Sequence, residues 1–207
     1  VLVRYALPRA QGKRPAVIVL PDRFGMRPHV DNILTVFAEL GFRAYAVSLR
    51  STPEQGAAGA PAFSIDSADI DAVAQVAVDI RNEEDCNGKA GLLAFDAGAA
   101  IGASAASRFP IFQSCVLVSP SPADVLLDAV VRIESPVNVI IGQYDPEGIL
   151  RGAEELKDQL PERRTRIRVS VIRGAGMFFY NREHEGFDRK SYNAALVAAA
   201  EMFRATL

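Results

Sequence analysis

Short apolar runs alternate with segments of helical periodicity along the whole chain, and no other feature of the sequence constrains its fold as tightly. Val17 to Leu20, Ala44 to Leu49, Ala90 to Phe95, Val116 to Val118, Val137 to Ile141 and Ile167 to Ile172 read as strands. Most are apolar without interruption, as strands covered on both faces are. Val1 to Leu7 is expected to be an edge strand, joined to the first of these by a hairpin through Pro8 to Arg14. Helices are predicted over Val30 to Leu40, Ser67 to Asn82, Gly98 to Phe109, Ile149 to Leu160 and Phe187 to Thr206. Their apolar residues recur at helical spacing: Ile33, Leu34, Phe37 and Leu40 in the first, Val73, Val76, Ala77 and Ile80 in the second, and Tyr192, Ala195, Ala199, Met202 and Phe203 in the last. Gly41 and Pro161 supply stops, and Asp69 and Asp71 suit the first turn of their helix. Strands alternating with helices specify an α/β fold, a three-layer α/β/α sandwich around a mostly parallel sheet.

With 207 residues, 49% of them hydrophobic and 23% charged, the chain suits one domain over residues 1–207. The Gly, Pro and Ala-rich stretch from Ser51 to Phe63 is expected to be a loop within it, a pocket wall rather than a linker. A net charge of −2 without a Lys/Arg block argues against nucleic acid and anionic membrane surfaces. No apolar run approaches the roughly 20 residues of a membrane span. Small molecules or proteins remain as partners. Cys86 and Cys115 lack metal-ligand spacing and could make at most one disulfide, so a cytoplasmic setting is expected. The sequence begins at Val1 without Met, which leaves room for a missing N-terminal piece or a removed signal. Neither a cofactor nor an oligomeric state is indicated.

The chemical centre is expected at Ala94-Phe95-Asp96-Ala97-Gly98, where an apolar run meets a small-residue helix. A strand, a sharp turn and a helix in that order form the nucleophile elbow of α/β-hydrolases, usually written G-x-S-x-G. The turn aims residue 96 at a helix N-terminus, where backbone N–H groups and the dipole favour negative charge.

Further fragments follow in a fixed order: Pro15 to Gly25 with Pro28-His29, then the elbow, then Gly142-Gln143-Tyr144-Asp145-Pro146, then Gly174-Ala175-Gly176-Met177-Phe178-Phe179-Tyr180-Asn181. Together they resemble the dienelactone hydrolase family over nearly the whole chain. The resemblance implies an α/β-hydrolase fold without a separate cap domain, and relatives that cleave ester or lactone bonds in small, often anionic molecules. It places the nucleophile, Cys or Ser in the family, on Asp96, the triad acid on Asp145 and the triad His on Met177. It also implies backbone oxyanion donors at Arg23 and Ala97, and puts Asp22 where the family has a glutamate beside the nucleophile.

Two of these positions lack the family's chemistry. A Ser or Cys nucleophile needs a base to take its proton and activate the deacylating water, and methionine does neither. A carboxylate nucleophile, as in the haloalkane dehalogenase branch of this fold, also needs a His to hydrolyse its ester intermediate. Asp96 is therefore expected to be an ionised carboxylate that fills the anion site itself. It serves either as a helix cap or as a ligand-contacting group, and Met177 as filler of the imidazole's space. Arg23 could pair with Asp96 or Asp22, or point to solvent. Asp145 is expected to be held by N–H groups of its turn. Arg50, at the ligand-facing end of its strand, is a candidate contact for an anionic ligand. His29 is expected to be structural. His184 is either a solvated loop residue or a substitute base swung toward Asp96. A divalent-metal cluster of Asp22, Asp96, Asp145 and His184 has no recognised ligand spacing behind it. The resulting expectation is a weak or inactive hydrolase that keeps a cleft for a small, possibly anionic ligand. The alternative is an atypical hydrolase working through Asp96 and His184.

Overall fold

The structure, a computed structural model, describes residues 2–50, 65–121, 128–159 and 166–207. The Ser51 to Phe63 stretch and Pro161 lie outside these residues. Among the described residues seven strands form one sheet: β1 (Val3–Ala6), β2 (Arg14–Leu20), β3 (Arg43–Val47), β4 (Cys86–Phe95), β5 (Ser114–Val118), β6 (Val137–Tyr144) and β7 (Ile167–Gly176). Their order is β1-β3-β2-β4-β5-β6-β7. Every pairing is parallel except β1 with β3. Among the described residues the sheet is packed by α1 (Pro28–Glu39), α2 (Ser67–Arg81), α3 (Asp96–Arg108), α4 (Glu147–Gln159) and α5 (Arg189–Thr206). It is the α/β sandwich expected.

Continuous apolar strands are explained by a core on each face of the sheet. Ala16, Ile18 and Leu20 of β2 turn to a core shared with Ile70, Val73, Ala77 and Ile80 of α2, the small residues of α3, and Ile149, Ala153 and Leu156 of α4. Val17 and Val19 turn the other way, toward Ile33, Leu34 and Phe37 of α1 and Tyr192, Ala195, Ala199 and Phe203 of α5. Residues of the inner strands therefore have a helix above or below them, and alternation with polar residues has no place there.

The first connection differs from expectation. β1 does not form a hairpin with β2. It pairs with β3, Val3 opposite Val47 and Ala6 opposite Ala44. The reason is that β3 and β4 occupy both flanks of β2, so the free edge of β3 is the position left to an added strand. β7, at the other edge, is half-buried or exposed along its length except at Ala175, as a strand with less cover is. Cys86 and Cys115 are buried free thiols rather than a disulfide, and burial pushes Cys115 up to about 12.

Helix starts are set by local chemistry. Pro28 opens α1, where its fixed φ suits the first turn and no N–H is missed. Asp66 caps α2 by accepting from the Ala68 N–H, and Asp188 caps α5 by accepting from the Ser191 N–H. α3 starts at Asp96, two residues earlier than expected, directly from the end of β4. Gly98 allows this start: a Cβ there would lie 2.2 Å from the Pro21 carbonyl oxygen. The helix therefore abuts the chain leaving β2, and this contact brings residues 21–24 beside residue 96. Gly98→Ala should destabilise the fold by about 1–3 kcal/mol or more, because the obstacle is backbone. Thermal unfolding should show a drop of roughly 3–10 °C.

Candidate functional site

The site lies at the C-terminal edge of the sheet, where β2, β4, β5 and β6 release the chain into loops. Asp96 has φ 47°, and two other non-glycine residues with positive φ, Ser119 (44°) and Phe178 (63°), lie just beyond β5 and β7. Left-handed backbone costs of order 1–3 kcal/mol per residue and clusters at functional sites. The elbow predicted at Asp96 is thus present in its strained form.

The Asp96 side chain is fully buried, and its hydrogen bonds among the described residues all come from Arg23. The Arg23 backbone N–H donates to Oδ2 at 3.1 Å, its Nε–H to the same oxygen at 2.6 Å, and its Nη2–H to Oδ1 at 2.7 Å. The pair is bidentate and charge-assisted, the strongest geometry open to a guanidinium. The carboxylate in turn holds the guanidinium protonated, above its usual range. Nη2 also reaches Ser121 Oγ at 3.2 Å, and the Ser121 N–H donates to the Asp96 carbonyl. Arg23 therefore faces inward, over the ring of Phe178 at 5.7 Å. One of the two backbone N–H groups expected to receive an oxyanion, that of Arg23, is already bonded to Asp96.

Asp22, the preceding residue, turns to a different set of partners. Its Oδ1 accepts from the Phe24 N–H and its Oδ2 from the Asn181 amide at 2.9 Å, with His29 Nε2 3.5 Å away. Burial, reinforced by the nearby Asp96 charge, raises its pKa to about 7 against these hydrogen bonds. His29 is itself buried, which pushes its imidazole down, while Glu183, 3.5 Å from Nδ1, opposes that shift. This fits the structural part expected of His29.

Asp145 is held by its own turn, as expected: Oδ2 accepts from the Gly142 N–H at 2.9 Å and from Ser119 Oγ at 2.7 Å. Its Oδ1 is buried without a partner among the described residues. Burial raises its pKa, the two hydrogen bonds lower it, and Asp96 raises it further. Met177 offers no N–H to that oxygen; it packs, partly buried, against the core shared by α1 and α5. The hydroxyl of Tyr180 is another buried polar atom without a partner, and burial together with the charges of Asp22, Asp96 and Asp145 raises it well above its ordinary range.

His184 is not hydrogen-bonded to Asp96. Its Nδ1 accepts from the Gly186 N–H at 3.0 Å, and its ring packs on Phe178 at 4.5 Å and Phe24 at 5.9 Å. Phe178 thus has Arg23 against it on one side and His184 on another. His184 also lines a cavity of about 240 Å³ with Phe24, Arg27, Asn181 and Glu183. The Arg50 side chain is exposed and its backbone N–H is bonded to Asp69 Oδ1 at 2.7 Å, so Asp69 ties the end of β3 to α2. Among the described residues no group of three His, Cys, Asp or Glu side chains is placed to hold a metal ion, and no helix is long and apolar enough to cross a membrane.

Ser119, Ser121, Phe178, Tyr180 and Asn181 belong to the site without having been singled out as site residues from the sequence. The available signal was position: all follow the C-terminal ends of strands, where ligands bind in sheets of this kind.

Two predictions rest on this geometry. Removing the guanidinium by Arg23→Met strands a buried carboxylate and should cost about 3–5 kcal/mol, most of it recovered when Asp96→Asn is added; urea unfolding of the three variants reads both terms. The folded pKa of Asp22 lies above its unfolded value of 3.8, at about 7, so native protein binds the extra proton. Its contribution to stability is full below about pH 4 and lost as pH rises to about 7. His29, shifted down, acts in the opposite sense. The difference between wild type and Asp22→Asn should therefore change with pH across this window and level off above it.

A family model for the dienelactone hydrolase family matches residues 2–207. No curated protein matches the chain significantly. Among solved structures, a protein of Klebsiella pneumoniae provisionally assigned as a dienelactone hydrolase superposes with a TM-score of 0.81 at 18% identity, covering 98% of this chain and 92% of that one. A dienelactone hydrolase-like promiscuous phosphotriesterase from metagenomic libraries gives 0.75 at 21% identity, covering 95% and 88%. Dienelactone hydrolase from Anabaena variabilis gives 0.71 at 17%, covering 99% and 91%. These likenesses carry the α/β-hydrolase fold. The match over residues 2–207 carries more: the chain belongs to the dienelactone hydrolase family.

Proposed function

We propose that this family member does not turn over esters or lactones by a Ser/Cys–His mechanism, and that its cleft binds a small molecule instead. The observation that carries the reading is the bidentate Arg23–Asp96 pair. A hydrolytic cycle needs a nucleophile free to attack, N–H donors free to take the oxyanion, and a base within reach of both. Here the carboxylate at the elbow is bound at both oxygens, one oxyanion donor is bonded to it, and Met177 has no basic nitrogen. His184 would have to displace Arg23 from Asp96 and pass Phe178 to act as base, and its Nδ1 is already an acceptor for Gly186.

The same charges bear on the ligand. Asp96 is paired with the Arg23 guanidinium and its charge raises both Asp22 and Asp145, so the interior does not favour a purely anionic guest near Asp96. Cationic contact for an acidic group comes instead from Arg27, in the wall of the neighbouring cavity.

Wild type, Asp96→Asn and His184→Ala should be indistinguishable from the uncatalysed rate on short-chain nitrophenyl esters, dienelactone and a phosphotriester, the last because one structural relative is a phosphotriesterase. Turnover by wild type that either substitution abolishes would establish the atypical Asp96–His184 hydrolase. Combining Asp96→Cys and Met177→His with Arg23→Leu should restore measurable esterase activity, since it returns nucleophile and base and removes the occupant of the site.

A further inference from the structure

The cavity beside the Arg23–Asp96 pair carries one charge of each sign in its wall. Arg27 enters it from the residue before α1, and Glu183 from the loop after β7. Arg27 commits only its Nε–H, to the Phe24 carbonyl at 3.3 Å, so its two Nη groups have no hydrogen-bond partner among the described residues. Glu183 leans with Oε2 toward the buried His29 at 3.5 Å, and its side chain is 43% exposed, open to a further donor. The remaining wall is aromatic and held in place. Phe24 packs edge-on against Phe178 at 5.2 Å, and the His184 ring is fixed by Phe178 and by the Gly186 N–H. Asn181, locked to Asp22 through its Nδ2 and to the Glu183 N–H through its Oδ1, forms the polar part of the lining.

We infer that this cavity binds a small zwitterion of the amino-acid class. The guanidinium of Arg27 takes the carboxylate, Glu183 takes the ammonium, and the apolar part lies against Phe24 and His184. A simple carboxylate would meet Glu183 unanswered, and a simple amine would meet Arg27. Only a ligand bearing both groups answers each charge, and charge-assisted hydrogen bonds are the strong ones. The volume, about 240 Å³, sits below the roughly 300–1,000 Å³ of drug-sized sites and suits a guest about the size of an amino acid. The inference deepens the proposed function, since it names the ligand class of a cleft taken to bind rather than to hydrolyse.

Titration calorimetry with L-phenylalanine, phenylacetate and phenethylamine, on wild type, Arg27→Gln and Glu183→Gln, tests it. Neither residue is part of the buried ion pair, and thermal melts confirm folding. Wild type should bind phenylalanine at least tenfold more tightly than either single-charge probe. Each substitution should weaken phenylalanine at least tenfold, Arg27→Gln without weakening phenethylamine and Glu183→Gln without weakening phenylacetate. Absence of phenylalanine binding, or binding that both variants retain, overturns the inference. Ester hydrolysis assayed on the same wild-type preparation separates the two claims: turnover overturns the non-hydrolytic reading whatever the calorimetry shows, whereas silence together with no zwitterion binding overturns this inference alone.

Discussion

A carboxylate with no solvent exposure has to be answered by charge, and the way Asp96 is answered organises this end of the molecule. The α3 N-terminus contributes a favourable dipole, but the described hydrogen bonds come from one residue, Arg23, through backbone and guanidinium together. Arg23 can reach because Gly98 lets α3 abut the Pro21 carbonyl, so the β2–α1 loop lies directly over the elbow. Ser121 and Phe178 then bracket the guanidinium from the loops after β5 and β7. The ion pair thus joins loops from three strands beyond β4. Breaking it removes one of the ties that hold each of them in place.

Adjacent residues divide the work. Asp22 faces Asn181 and His29, while Arg23 faces Asp96, so a single short segment ties the elbow to the loop after β7. Asp22, Asp96 and Asp145 act on one another there, and of the three only Asp96 is paired with a guanidinium among the described residues. The site resolves the excess of carboxyl groups by raising Asp22 and Asp145, one toward neutrality, rather than by gathering further cations. In a family member hydrolysing esters, negative charge reaches the oxyanion donors only in the transition state, on the substrate. Here the negative charge is resident, which is why we read the site as one that holds a ligand.

Much of the fold was legible because its strands are buried on both faces. Val17 to Leu20, Ala90 to Phe95 and Val137 to Ile141 are unbroken apolar runs, and helices two core layers deep are what such runs require. The partner of β1 was not legible, since pairing with β3 depends on which flank of β2 stays free, a property of the whole sheet. Boundaries moved where a local device intervened: the left-handed Asp96 started α3 two residues early, and the Asp188 cap started α5 two residues late. At the site, Asp96, Asp22 and Asp145 could be located by the order of their motifs. The direction of Arg23 could not be, because both a solvated and a paired side chain satisfy the same sequence. Ser119 and Asn181 carry no periodic signal at all; only their distances to Asp145 and Asp22 reveal them.

The central claim is that Arg23 is locked on Asp96 in solution, and the Arg23 side-chain protons report it directly by NMR. Bidentate pairing restricts rotation about the guanidinium bonds and shields the Nε–H and Nη–H groups from water. The account predicts a slowly exchanging Arg23 Nε–H and separately resolved Nη–H signals at neutral pH, both collapsing in Asp96→Asn. A rapidly exchanging, averaged Arg23 guanidinium in the wild type would contradict it.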